Sequence, residues 1–170
     1  LRMAVNVSPV QLRQPNFLGL IDEAIRQTGS DPAQLEIEIT ESVAVGGIDP
    51  IIKLLEEIRA RGVSVALDDF GTGYSSLSYL HRFPIHTVKI DQSFVKEIQR
   101  DNGHFPVVLA IISIARGLGL NLVAEGVETE IQARYLEQSG CTTMQGYYYY
   151  QPLPARTLFD ILDQRHAICV

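Results

Sequence analysis

Val63-Ser64-Val65-Ala66-Leu67-Asp68-Asp69-Phe70-Gly71-Thr72-Gly73-Tyr74-Ser75-Ser76 joins an apolar run to two adjacent carboxylates and then to a loop carrying two glycines. The short run rich in β-branched residues reads as a strand. A strand that ends in paired carboxylates before a glycine-bearing loop presents hard oxygen ligands from a rigid support. The plainer alternative is a solvated turn in which an aspartate caps the next helix. For a single aspartate the two readings carry similar weight, and repetition along the chain separates them.

An apolar run followed by a stretch with helical period recurs six times. The spacing, about thirty residues, is that of βα units building a parallel sheet. The runs are Met3 to Val7, Leu35 to Ile39, Val63 to Leu67, Thr87 to Ile90, Asn121 to Ala124 and Thr142 to Tyr147. The helical stretches are amphipathic, as in Ile51 to Ile58, where Ile51, Leu54, Leu55 and Ile58 form one face. Asp31-Pro32 and Asp49-Pro50 read as an N-cap followed by proline at the first helical position, and Thr129 with Gln132 fits a capping box. Asn6, Glu38, Asp68, Lys89, Glu125 and Gln145 all fall at or near the carboxyl end of a predicted strand. In parallel α/β architectures that end carries the site, because the βα loops converge there. Any one of the six could be an idle strand-end residue, but one from each unit is hard to explain as background.

Composition agrees with a soluble enzyme domain. A chain of 170 residues, 46% hydrophobic and 20% charged, can bury one core, and no segment is of low complexity. The longest apolar stretch, Phe105 to Ala115, is too short to span a bilayer, and no signal peptide is visible, so neither membrane contact nor export is expected of this segment. Cys141 and Cys169 make no disulfide framework, which suits a cytoplasmic compartment, with a membrane-tethered parent left open. His81, His86, His104 and His166 lack ligand spacing and are expected on surfaces or helix ends. A net charge of -6 argues against a DNA or RNA polymer as partner, and a phosphate-bearing substrate would need cations to dock.

The acidic residues meet that need. Glu38, Asp68, Asp69 and Glu125 are hard oxygen donors and Asn6 adds a neutral carbonyl, a mixture suited to Mg²⁺ or Mn²⁺ rather than Zn²⁺. So many carboxylates favour two ions, about 4 Å apart and sharing Asp68, and the chemistry such a pair supports is phosphodiester hydrolysis. In Val88-Lys89-Ile90-Asp91 the strand pattern points Lys89 and Asp91 to one side. Lys89 either neutralises the carboxylates or holds the attacking water, with Asp91 fixing its ammonium. Glu125 at its strand end can reach the site, while Glu128 precedes a helix and could instead hold backbone amides. The run Tyr147 to Tyr150 could stack bases with half its rings, and barrel packing is expected of the others.

Taken together, Asn6-Val7-Ser8, Glu38-Ile39-Thr40-Glu41-Ser42, Asp68-Asp69-Phe70-Gly71-Thr72-Gly73-Tyr74-Ser75-Ser76-Leu77, Val88-Lys89-Ile90-Asp91, Ala124-Glu125-Gly126-Val127-Glu128-Thr129 and Gln145-Gly146-Tyr147 resemble the successive motifs of the EAL-domain family. The resemblance covers essentially the whole chain. It implies a TIM-type (β/α) barrel and a cyclic di-GMP phosphodiesterase that opens the cyclic dinucleotide to linear pGpG with Mg²⁺ or Mn²⁺. By the same resemblance Asn6, Glu38, Asp68, Asp69 and Glu125 are metal ligands and Lys89 sits on the catalytic water, with Asp91 and Gln145 in the inner shell. It further implies that the loop from Phe70 through Gly71, Thr72 and Gly73 to Ser78 responds to substrate and helps form a homodimer, restrained by Glu41 and Glu128.

One departure stands out. An eight-stranded barrel usually takes about 250 residues, and only six βα units are legible here. The Glu-Ala-Leu signature that names the family is also absent, the only Glu-Ala being Glu23-Ala24-Ile25 on a helix face. Residues 1–170 therefore read as the C-terminal two-thirds of one EAL domain, an incomplete barrel whose open edges invite self-association. Its parent is expected to carry sensor or cyclase modules. The alternatives to a phosphodiesterase are a cyclic di-GMP receptor without turnover and a dimerisation or interaction module.

Overall fold

A computed structural model of the protein describes residues 2–44, 47–72, 80–99 and 103–167. Six strands lie in one parallel sheet in sequence order: β1 (Met3–Asn6), β2 (Leu35–Thr40), β3 (Ser64–Phe70), β4 (Thr87–Ile90), β5 (Asn121–Ala124) and β6 (Thr143–Met144). Helices follow the strands: α1 (Pro9–Leu12), α2 (Phe17–Thr28), α3 (Ile48–Ala60), α4 (Gln92–Lys96), α5 (Pro106–Gly117), α6 (Glu130–Ser139) and α7 (Ala155–Ala167). The sheet curls into part of a TIM-type barrel, the architecture expected of the six units.

Alternation along the strands divides the sheet into two unlike faces. Ile37, Ile39, Val65, Leu67, Val88 and Ile90 are buried in the apolar cluster with Ile51, Leu55 and Ile58 of α3 and Val108, Ile111 and Ile112 of α5. The residues between them, Glu36, Glu38, Ser64, Asp68, Thr87 and Lys89, are also buried, so the concave face is polar. Burying each large aliphatic side chain contributes roughly 1.5–3 kcal/mol, and this cohesion lies between sheet and helices. β1 is exposed along its length, with Met3 and Val5 open to solvent.

Most of the expected boundaries hold. Thr129 caps α6 in a capping box with Gln132, and Asp31 accepts from the Ala33 amide at the head of a 3₁₀ turn over Pro32–Gln34. Asp49 is not a cap: α3 begins two residues earlier than expected, at Ile48 after Gly47, leaving Asp49 in the first turn, where its carboxylate pairs with Arg82 at 2.6 Å. The sixth strand is shorter than the expected Thr142 to Tyr147. Gly146 turns the chain after Gln145, at a place where a Cβ would lie 2.2 Å from the Val127 carbonyl oxygen, and Tyr148 then donates to that carbonyl. Tyr147 to Tyr150 consequently stand exposed rather than packed inside the barrel. His86 is half-buried at the head of β4, its Nδ1 accepting from the Val65 amide at 3.2 Å, and is not a surface residue. Cys141 is a free, buried thiol that burial pushes up to about 11, too high for a ready thiolate.

Candidate metal centre

Lys89 organises the concave face at the carboxyl end of the strands. Its ammonium lies 2.7 Å from Glu38 on β2, 3.4 Å from Asp68 on β3 and 2.6 Å from Glu125 just beyond β5. Register explains the convergence: Glu38 is level with Asn6 and Ala66, and Lys89 with Val123, so the loops after β3 and β5 close over one point. Burial acts to lower the Lys89 pKa, yet its hydrogen bonds to Glu125 and Glu38, with the charges of Glu125 and Asp68, outweigh that and hold it above the ordinary lysine value. Lys89 is thus a fixed cation and no base at physiological pH.

Adjacent residues of a regular strand point to opposite faces, so Asp68 and Asp69 should not both reach the interior. A break in register between Leu67 and Phe70 resolves this. At that irregularity Asp69 has φ of 54°, a left-handed conformation that aspartate tolerates better than bulkier residues at a cost of roughly 1–2 kcal/mol. No other non-glycine residue among those described has positive φ. Its amide turns back to donate to Asp68 Oδ1 at 3.0 Å, and Asp68, Asp69 and Glu125 each offer a carboxylate oxygen within 4.8 Å of one another. Burial raises the Asp69 pKa, helped by the charges of Asp68 and Asp91. Burial likewise raises that of Glu125, against the pull of Lys89 and with help from Asp68. Crowded oxygen donors around a single ammonium fit a divalent, oxygen-preferring cation such as Mg²⁺ or Mn²⁺.

The remaining candidate residues take varied places. Asn6 ends β1 beside Glu38, exposed at the rim. Asp91 caps α4, accepting from the Ser93 amide at 2.9 Å and from the Ser93 hydroxyl, and it lies against the Asp69 carboxyl. Burial acts to raise the Asp91 pKa, and the Ser93 and Asp69 hydrogen bonds lower it further than burial lifts it. It does not fix the ammonium of Lys89, which Glu38, Asp68 and Glu125 hold instead. Gln145 is exposed just past β6, bonded through its backbone to Ala124 and Val127. Glu41 accepts from the Gly71 amide at 2.9 Å, tying the end of β2 to the start of the loop after β3. Gly71 has φ of 96° and a Cβ there would lie 2.9 Å from the Phe94 ring. Phe70 is buried in the apolar cluster at the start of that loop. Thr72 donates through its amide and hydroxyl to the Asp69 carbonyl. Glu128 is exposed, and Gly73 to Ser78 lie outside the described residues, so the expected loop and dimer contacts there are not on view.

Sequence reading passed over Glu36 and Thr87, which sit two residues before Glu38 and Lys89 and form a lower polar layer. Thr87 Oγ1 donates to Glu36 Oε2 at 3.0 Å, and Arg2 reaches the same oxygen at 3.3 Å. The signal was present as alternating polar letters in Leu35-Glu36-Ile37-Glu38-Ile39.

Comparison with known proteins identifies the family. The EAL domain family profile matches residues 1–152. The bifunctional diguanylate cyclase/cyclic di-GMP phosphodiesterase MucR of Pseudomonas aeruginosa is 40% identical over 156 residues, 92% of this chain and 23% of its own length. The cyclic di-GMP phosphodiesterase NbdA of the same organism is 41% identical over 162 residues, 95% of this chain and 21% of its own. The chain therefore spans about a fifth to a quarter of these relatives. Among solved structures, a MucR phosphodiesterase in complex with c-di-GMP superposes with a TM-score of 0.86 at 40% identity, over 92% of this chain and 64% of that one. The EAL domain of Mycobacterium smegmatis DcpA gives 0.91 at 41%, over 96% and 74%. Klebsiella pneumoniae BlrP1, in a complex with manganese and cyclic di-GMP, gives 0.76 at 31%, over 86% and 38%. By the match of the family profile over residues 1–152, and in keeping with the overall fold of the solved EAL structures, the chain belongs to the EAL domain family.

Proposed function

We propose that the domain to which this chain belongs hydrolyses cyclic di-GMP to linear pGpG with two Mg²⁺ or Mn²⁺ ions. The observation that carries this reading is the set of Asp68, Asp69 and Glu125 oxygens within 4.8 Å of one another beside a buried Lys89. Glu38 and Asn6, on the neighbouring strands, add to the ligand set. Two such ions, when bound, polarise the phosphodiester, lower the pKa of a nucleophilic water and neutralise the leaving oxygen.

The protein's own groups supply the rest. Lys89 presents an ammonium held from three sides, able to orient an attacking water or a phosphate oxygen without reorganising. Glu38 and Glu125 keep that ammonium in place and share its charge. Asp91 steadies Asp69 and the head of α4. Gln145, exposed on the rim, is available to the dinucleotide, and Glu41 restrains the loop after β3 at Gly71. MucR combines cyclase and phosphodiesterase activities by name, and sensor or cyclase modules in the parent of this chain are part of the same reading, as is a homodimer.

Turnover of cyclic di-GMP with Mg²⁺ or Mn²⁺, followed as pGpG by chromatography, tests the proposal. Product is expected from the intact domain and is expected to vanish with chelator and in Glu125→Gln. Tight, metal-dependent binding with no product at any ion concentration would instead assign a receptor.

A further inference from the structure

Gln132 belongs to none of the metal or substrate roles above, yet it is one of the few buried polar side chains outside the barrel interior, 5% exposed at the head of α6. Its Oε1 accepts from the Glu128 amide at 2.7 Å and the Thr129 amide at 3.0 Å, while its Nε2 donates to the Val95 carbonyl of α4 at 3.3 Å. The two amides can only donate, so the amide orientation is fixed and the NH₂ must point at Val95. Gln132 thus does more than close a capping box. It ties the loop that carries Glu125 to the short helix capped by Asp91, the residue two places beyond Lys89.

A second contact joins the same two loops. Gly126, at φ of 65°, lies so close to Gln92 that a Cβ would come within 2.5 Å of the Gln92 Cβ. From there the backbone continues the link: the Val127 amide donates to the Gln145 carbonyl and Tyr148 donates to the Val127 carbonyl. The loops after β4, β5 and β6 are therefore joined side to side, and across the first of these joints Gln132 adds a buried side-chain hydrogen bond to the apolar packing.

We propose that Gln132 is a positioning residue for the metal centre, holding Glu125 at its distance from Lys89 and Asp68 by fastening the β5 loop to α4. This rests on the reading of the site as a two-ion phosphodiesterase centre. Two substitutions separate it from an ordinary helix cap. Gln132→Glu keeps an oxygen for the Glu128 and Thr129 amides but loses the donor to Val95 and sets two oxygens against each other. Thr129→Ala loses the capping hydroxyl and leaves the Val95 bond intact.

The experiment measures, in the intact protein, Mn²⁺ affinity by calorimetry, kcat and KM for cyclic di-GMP, the unfolding midpoint, and exchange of the Lys89 ammonium protons by ¹⁵N NMR without metal. Gln132→Glu is expected to weaken Mn²⁺ binding and lower kcat about tenfold, the usual scale for a group that orients a ligand, with KM nearly constant. It should also speed Lys89 proton exchange by a similar factor, about tenfold, as Glu125 loosens. Thr129→Ala should lower the unfolding midpoint and leave the other three near wild type. Wild-type Lys89 exchange and Mn²⁺ affinity in Gln132→Glu, or equal losses in both variants, would overturn the proposal. Should the wild type neither bind Mn²⁺ nor turn over substrate, the phosphodiesterase reading fails, and Lys89 exchange still decides whether Gln132 holds Glu125.

Discussion

Glu36 and Glu38 stand two residues apart on β2, face the same interior and are equally buried, yet their surroundings differ. Glu36 meets a hydroxyl from Thr87 and a guanidinium from Arg2, a local balance of one anion and one cation. Glu38 shares Lys89, its one cationic partner among the described residues, with Asp68 and Glu125, and Asp69 stands within reach of both. The lower layer is balanced, whereas the upper layer holds more negative charge than Lys89 neutralises. Buried like charges are costly, and the fold keeps them together only at the carboxyl rim, the place where βα loops can admit a cation and a phosphate.

The largest effect should come from altering the upper layer without changing its shape. Glu125→Gln removes one charge and one ligand oxygen, and turnover of cyclic di-GMP is expected to fall by about a hundredfold or more, on the scale of losing a preorganised group at a developing charge. A variant with wild-type kcat would place the chemistry elsewhere. Next comes the cation. Lys89→Met leaves Glu38, Asp68 and Glu125 facing one another, and in chelator the domain should lose about 3 kcal/mol or more of stability in urea unfolding. Added Mn²⁺ should restore part of the loss, and a failure to do so would break the link between charge surplus and metal.

The lower layer should respond differently. Thr87→Val removes one hydrogen bond to Glu36 and is expected to cost about 1–2 kcal/mol of stability while kcat stays at the wild-type level. Equal damage to turnover would mean that the two layers are not separable. The smallest effect concerns His86, just below that layer. Burial, followed by the charge of Arg59, holds its pKa below the ordinary 6.5, and its Nδ1 is occupied as an acceptor. The unfolded chain therefore takes up the proton first. The stability contribution is complete above the ordinary value and is lost as pH falls through it toward the lower folded pKa. His86→Asn, which retains an acceptor for the Val65 amide, should flatten that part of the pH profile in thermal unfolding.

Much of this layout was legible in the letters. Six apolar runs with helical stretches between them announced the sheet, and of the residues at their carboxyl ends Lys89 gathers Glu38, Asp68 and Glu125, while Asn6 and Gln145 stay exposed at the rim. What was hidden depended on conformation rather than pattern. Alternation would have sent Asp69 away from Asp68, and only a register break with one left-handed residue brings both inside. Asp91 was read as a partner for Lys89 because they share a strand phase, but β4 ends at Ile90 and the chain turns there to let Asp91 cap α4. The apolar run Thr142 to Tyr147 suggests a strand reaching the first tyrosine, and the close approach of Gly146 to Val127 ends the pairing first. Gln132 was visible as a cap, whereas its reach to Val95, 37 residues away, belongs to tertiary structure alone.

The sheet coheres through one face and does its chemistry on the other. Alternate residues of β2, of β4 and of β3 as far as Leu67 belong to the apolar contact with the helices, and the residues between are free of that duty. Truncations on the outer face should consequently read out as yield of folded protein, while near-isosteric changes at the inner rim, such as Glu125→Gln, should read out first as rate. A lineage carrying this fold could therefore lose its catalysis through one near-isosteric change at the inner rim while the outer letters go on holding the sheet to its helices.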